Sequence, residues 1–379
     1  MSLESSASFY SLLRGRNQKK EEYTMVISRE VMYVESIDTE GSFFLAADIG
    51  GTNSNIGVFS LKSATPLLLV SLHYKSKTID DFAIFMKEVE SYIYERYAIR
   101  CTRGCIGASG IVYPARVSVR PTNLSFWINV HAVMEVTSLK DLFLINDFEA
   151  VALGVELLHP RDLIVIQKGT YRSHANQGFI GAGTGMGKSL MVWARDNKRY
   201  FPVASEGGHA DIPLYDPLEN ALRDYFYATY QKCPLSWEEL LSGAGIQKIY
   251  RFLGTYKNYV RTELTEEIEK YNFSPDKISF YAERDERCKD TFELYVKLYA
   301  RCAKNFALEG LTLNGLYIAG GIASKNIGMF LGSLFIEEFT RCGRHSKELE
   351  MVPLFVIANY NVSLYGAVVA GLLRKVSFF

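Results

Sequence analysis

The sequence predicts a mixed α/β protein whose two related halves face each other across a cleft, and three glycine-rich strand ends carry that expectation. The first is Phe43-Phe44-Leu45-Ala46-Ala47-Asp48-Ile49-Gly50-Gly51-Thr52-Asn53: an apolar strand, a carboxylate, two glycines, then a hydroxyl and an amide. A second strand through Ile56, Val58 and Leu61 follows. Phe179 to Ser189 does the same again, driving an apolar strand into glycines around a threonine, Gly183-Thr184-Gly185. The third end is Leu316-Tyr317-Ile318-Ala319, which stops at Gly320-Gly321. One such turn would be only a turn. Three in order suggest related units arranged around one ligand.

Each end suits a different part of a nucleotide. The bare turn at Gly50-Gly51 can lay backbone N–H groups against a phosphate, and Asp48 is placed to face the magnesium that accompanies it. Ala182 to Ser189 also fits a loose P-loop pattern with Ala in the first glycine's place. A P-loop must open a helix, whereas Leu190-Met191-Val192-Trp193 followed by Arg195-Asp196 reads as a buried strand and a turn. No acid on a later strand supplies the expected partner either. The P-loop reading is therefore set aside, and Gly183-Thr184-Gly185 is expected to be a second phosphate hairpin. Gly320-Gly321, without side chains, lets a flat ring approach closely.

Two further stretches carry polar chemistry. Lys140 to Asp147 is an apolar strand that ends in Asn146-Asp147, and Phe148, Val151, Ala152, Val155 and Leu158 then fall at helical spacing. Either residue could simply cap that helix. Alternatively, a carboxylate held at the strand end can take a proton from a hydroxyl as it attacks a phosphate. Ser205-Glu206-Gly207-Gly208-His209 mixes acceptor and donor groups and suits vicinal hydroxyls better than a metal, since no further His or Cys stands nearby. Ser236 and Glu239 have the spacing of a capping box. Glu238 is then free, or is merely a first-turn acid favoured by the helix dipole.

Together these motifs resemble the bacterial-type ATP-dependent glucokinases of the hexokinase, heat-shock-70 and actin-like ATPase superfamily. The matching stretches are Asp48 to Asn53, Leu144 to Phe148, Gly181 to Gly187, Glu206 to His209, Leu241 to Gly245, Ala319 to Ile322 and Asn361 to Ala367. The resemblance implies two ribonuclease-H-like domains flanking a cleft, and transfer of the γ-phosphate of ATP to the 6-hydroxyl of glucose. It makes Asp147 the general base, and Asn146, Glu206, His209 and Glu238 the sugar ligands. Gly50, Gly51, Thr52, Asn53, Gly183, Thr184, Gly185, Gly320 and Gly321 would hold ATP. Asp48 would act on Mg2+ through water. The alternatives are a kinase for another hexose or an amino sugar, and a sugar-sensing regulator on the same fold. Ser54-Asn55 stands where the family often has an arginine, and Thr122-Asn123-Leu124-Ser125-Phe126-Trp127 is one residue longer than its counterpart, so no role is carried onto either.

Composition fits this reading. The 379 residues allow two domains, and 42 basic against 42 acidic residues give no net charge to draw nucleic acid or an anionic membrane. The six cysteines include no Cys-x-x-Cys pair and are expected as free thiols of a cytoplasmic protein. No apolar run reaches the ~18 residues of a membrane span. Residues 1–41 are expected to be a loosely attached arm that the chemistry can do without. Residues 42–157 with 360–379 would form a small domain, 158–359 a large one, and a homodimer is the expected assembly.

Overall fold

The computed structural model describes residues 26–113 and 115–373. In chain order, β1 (Arg29–Met32), β2 (Phe43–Ile49), β3 (Asn53–Ser60), β4 (Leu67–Lys75) and β5 (Arg103–Ala108) precede a small ribbon. The ribbon pairs β6 (Ser118–Val119) with β7 (Ile128–Asn129), and β8 (Asp141–Asn146) follows. The first sheet has the order β1-β4-β3-β2-β5-β8, with β2, β3 and β4 antiparallel and β5 and β8 parallel to β2.

A second sheet repeats the pattern with β9 (Leu163–Gln167), β10 (Gln177–Ala182), β11 (Met186–Ala194), β12 (Arg199–Ser205), β13 (Leu316–Ala319) and β14 (Leu354–Ile357). Its order is β12-β11-β10-β13-β14-β9, again an antiparallel trio continued by two parallel strands. This is the ribonuclease-H-like arrangement, twice. The two copies differ at the rim: β1 is added beyond β4 in one, and β9 beyond β14 in the other.

The arm expected over residues 1–41 is therefore partly wrong. Arg29–Met32 pairs antiparallel with β4, so the first sheet begins well before residue 42, and residues 1–25 lie outside the described residues. The strand covers backbone groups of β4 that would otherwise form an open edge. Its short, half-polar sequence Arg29-Glu30-Val31-Met32 carries no alternation that would announce it.

Side-chain alternation explains how the sheets meet. Phe43, Leu45, Ala47 and Ile49 of β2 join a core on the outer face of the first sheet. Phe44 and Ala46 turn the other way, into a middle layer with Phe143 and Ile145 of β8. Phe179 of β10, Tyr317 of β13 and Phe355 of β14 reach the same layer from the second sheet. Leu316, Ile318, Leu354 and Val356 face the second sheet's own core. With a period of two, the next inward position after Phe44 and Ala46 is Asp48, and after Phe143 and Ile145 it is Asp147. The middle layer thus hands both carboxylates to the cleft at its end.

Two helices fill that layer, Asp147–Gly154 and Val362–Leu373. They cross backbone to backbone. A Cβ on Gly366 would lie 1.6 Å from the Ala150 carbonyl oxygen, and one on Gly154 would lie 1.9 Å from that of Val362. Only glycine permits this approach. The second sheet's outer core is built by Pro217–Tyr230, Gly243–Tyr256 and the 25-residue Glu286–Gly310. Just before the second of these, the short helix Trp237–Leu240 ends, and Ser242 caps the next helix by accepting the Gly245 N–H.

Candidate active site

A cleft of about 780 Å³ lies between the sheets, and all three glycine ends open onto it. At the β2–β3 turn, the Gly50 N–H donates to the Asn53 carbonyl at 3.1 Å, and Ser76 Oγ donates to the Gly50 carbonyl at 2.6 Å. Lys75 Nζ donates to Asn53 Oδ1 at 2.9 Å, so that amide braces the turn. At the β10–β11 turn, the Gly183 N–H donates to the Gly185 carbonyl at 2.8 Å. A strand, β11, follows this turn, which removes the P-loop reading. Gly320 sits at φ +92°, where a Cβ would lie 2.4 Å from the Ala182 carbonyl. Gly183 and Gly321 have no atom within 4 Å of such a Cβ, so both present open backbone.

Asn146 and Asp147 occupy the junction of β8 with the next helix. Asn146 is its N-cap, and Oδ1 accepts the N–H groups of Phe148 and Glu149 at 2.9 and 3.3 Å. Its Nδ2 donates to the Gly110 carbonyl at 3.3 Å. Glu149 returns a bond to the Asn146 N–H at 3.0 Å and pairs with Arg116 through both carboxylate oxygens. Capping, one of the two roles open to this pair, falls to Asn146 and leaves Asp147 to the cleft.

Across the cleft, Glu206 and His209 stand on the turn after β12, with His209 Nε2 3.7 Å from Glu206 Oε2. Glu238 Oε2 accepts the Met186 N–H at 3.1 Å. The geometry therefore gathers an acid at a helix start, a donor–acceptor trio opposite it, and two phosphate-sized turns beside them. The Glucokinase family's sequence model matches residues 45–373. The chain belongs to the glucokinase family.

Relatives agree with that placement. Glucokinase of Nostoc punctiforme is 31% identical over 339 residues, covering 86% of this chain and 98% of its own length. That of Psychromonas ingrahamii is 32% identical over 325 residues, covering 85% and 95%. Among solved structures, glucokinase from an Antarctic psychrotroph superposes with a TM-score of 0.71 at 24% identity, over 88% of this chain and 99% of that one. Glucokinase from Balamuthia mandrillaris, solved in complex with glucose, gives 0.74 at 20% identity over 87% and 94%. At those identities the structural likeness speaks for the fold.

The electrostatics of this glucokinase-family site are unusual in one respect. Burial pushes the Asp147 carboxyl up to about 7, with the nearby Asp48 and Glu206 carboxylates adding to the effect and the Phe148 N–H opposing it. Burial also raises Asp48, offset in part by hydrogen bonds from Ser363 and Asn55. No group of three or more His, Cys, Asp or Glu that could hold a metal occurs among the described residues. The donor set instead suits Mg2+, which keeps most of its waters and uses one or two carboxylates plus phosphate oxygens. Asp48 spends Oδ2 on Ser363 and Asn55, and Oδ1 has no hydrogen bond among the described residues.

Some features were not foreseen. The Ser236–Glu239 capping box does not form: Ser236 makes no side-chain cap, and Glu239 pairs with Lys248 at 2.6 Å and Lys232 at 3.0 Å. Thr122 and Asn123 line the cleft, as do Ser109 and Gly110. The turn composition Pro121-Thr122-Asn123 was the signal available in the sequence, and Asn123 takes a left-handed φ of +66° there. Gly181 and Gly187 serve neither turn: they form the floor under the Phe148 ring.

Proposed function

We propose that this chain phosphorylates glucose on its 6-hydroxyl, with MgATP as donor and Asp147 as general base, in the cytoplasm. The single observation that carries the reading is the Asp147 carboxyl at a helix start, set in one cleft with Glu206, His209 and Glu238; its burial, which raises the carboxyl, agrees with a base. The glucokinases of Nostoc punctiforme and Psychromonas ingrahamii, 31% and 32% identical, support the choice of sugar.

Glu206, His209 and Glu238 would bind the sugar hydroxyls as acceptors and donors, with Asn146 Nδ2 released from Gly110 to join them. The backbone N–H groups of Gly51 and Gly185 and the Thr52 and Thr184 hydroxyls would hold phosphate oxygens, while Gly50 and Gly183, whose N–H groups donate to the Asn53 and Gly185 carbonyls, would shape the two turns around them. Asn53 would act less directly, because Lys75 already holds its side chain. Gly320 and Gly321 would admit the adenosine. When bound, Mg2+ supplies neutralisation of the phosphate charge, and Asp48 would hold its water. The sugar O6 attacks the γ-phosphorus, the bond from that phosphorus to the β-phosphate oxygen breaks, and the O6 proton passes to Asp147. ADP and the sugar phosphate leave, and Asp147 returns the proton to solvent. Because phosphoryl transfer is largely dissociative, the acid accepts its proton late, and positioning supplies most of the acceleration.

The test is a steady-state assay of the purified protein with ATP over glucose, mannose, fructose, galactose and glucosamine. The expected result is the highest kcat/KM for glucose. Phosphorylation of none of them would overturn the kinase reading, and a higher kcat/KM for another sugar would overturn the choice of glucose.

A further inference from the structure

A polar row crosses the first sheet. Asp48, Asn55, His73 and Arg29 are successive cross-strand partners on β2, β3, β4 and β1, so one line leads from the cleft to the outer edge strand. In the neighbouring row, Ala47, Ile56 and Leu72 are all buried and apolar. Asn55 is only 3% exposed, and a buried amide needs partners.

It has them, in a directed line. His73 Nδ1 lies 2.7 Å from Asn55 Oδ1, Ser71 Oγ lies 2.9 Å from His73 Nε2, and Tyr33 OH lies 3.2 Å from Ser71 Oγ. Asn361 Nδ2 donates to Tyr33 OH at 2.8 Å. An amide oxygen can only accept, so His73 Nδ1 carries the proton. Burial, and then the Arg29 guanidinium, hold His73 below its ordinary pKa, which keeps the ring neutral and makes Nε2 an acceptor. Ser71 then donates to His73, Tyr33 to Ser71 and Asn361 to Tyr33. Every bond points the same way and the line ends where Asn55 Nδ2 donates to Asp48 Oδ2, at a long 3.5 Å. Two residues after Asn361, Ser363 Oγ donates to the same Oδ2 at 2.7 Å. Both arms thus grip one oxygen of Asp48.

We propose that Asn55, His73 and Tyr33 are positioning residues for Asp48, and that Tyr33, contributed by the segment before the family match, tunes how the site accepts a magnesium–phosphate group. The inference rests on the proposed function, in which Asp48 holds a magnesium water. A carboxylate acting through water must be fixed in rotation, because Mg2+ demands near-ideal octahedral geometry. Partners that orient a directly bound ligand typically change metal affinity by about 10–100-fold when removed, and partners of a carboxylate acting through water stand one shell further out, so their effect falls at or below the low end of that range. A merely structural row would satisfy its own members and leave magnesium use unchanged.

The test uses full-length Tyr33→Phe and Asn55→Leu beside the unaltered protein. ADP binding is measured by calorimetry with glucose present, across a Mg2+ titration and without Mg2+, and glucose binding is followed by fluorescence. The expected result is a rise in the Mg2+ concentration for half-maximal enhancement, about threefold for Tyr33→Phe and tenfold for Asn55→Leu. Magnesium-free ADP binding and glucose binding stay the same. An unchanged Mg2+ dependence in both variants overturns the inference, as does an equal loss of glucose and magnesium-free ADP affinity. Unaltered protein that binds neither ADP nor glucose overturns the functional reading itself, which separates the two failures.

Discussion

The hydroxyls of Thr52 and Thr184 lie 2.7 Å apart, so the tips of the two glycine hairpins touch across the cleft. They belong to different sheets and mark the point where a triphosphate would pass between them. Its oxygens must replace this mutual bond, and a hydrogen bond to a charged acceptor is worth about 1.5–3 kcal/mol. Thr52→Val and Thr184→Val should each raise the KM for ATP by about tenfold and leave glucose binding in place. Unchanged nucleotide KM values in both would remove the threonines from the phosphate site.

Phe148 couples the acid to the second hairpin. A Cβ on Gly187 would lie 2.0 Å from the Phe148 ring, and one on Gly181 2.8 Å from it. Gly187→Ala should destabilise the protein by about 1–3 kcal/mol, the usual range for overpacking, and lower kcat more than it raises the KM for glucose. In a Phe148→Ala background the same Gly187→Ala change should cost much less, because the ring that the new methyl meets is gone. An undiminished cost of Gly187→Ala in that background, in chemical denaturation, would refute this seating.

Glu206, His209 and Glu238, the proposed sugar ligands, line one wall of the cleft, and Asp147 and Asn146 the other. Glu206→Gln, His209→Ala and Glu238→Gln should therefore act first on the KM for glucose, and glucose should draw the walls together. Kinetics on the three variants and small-angle scattering with saturating glucose check this. Three unchanged KM values, or identical scattering curves, would contradict a shared site.

Asp147 should also cost stability at neutral pH. Its folded pKa of about 7 lies above the ordinary carboxylate value, so the folded state binds its proton more tightly than the unfolded chain. The stability this provides is complete below about pH 4 and is lost as pH rises through about 7. At pH 8, Asp147→Asn should melt several degrees above the unaltered protein, and at pH 4 the difference should shrink. Equal melting temperatures at pH 8 would speak against the raised acid.

Much of this was legible because the chemistry sits at strand ends. Inward positions on β2 and β8 follow a period of two, and glycine marks where backbone must approach a ligand or another backbone. What was not legible depended on partners distant in sequence. Arg29–Met32 is a strand only because β4 offers an edge, and Gly187 has to be glycine only because the Phe148 ring fills the space a Cβ would take. The Ser236–Glu239 spacing fits a capping box, yet Lys232 and Lys248 draw Glu239 away.

The most direct test of the account is the pH dependence of kcat/KM for glucose phosphorylation in the unaltered protein and in Asp147→Asn. The unaltered rate should climb through about pH 7 as the acid deprotonates. Asp147→Asn should be at least ~100-fold slower, without that limb, and still bind glucose. A variant that keeps most of its turnover, or the same limb near neutrality, would contradict the assignment of Asp147 as the base.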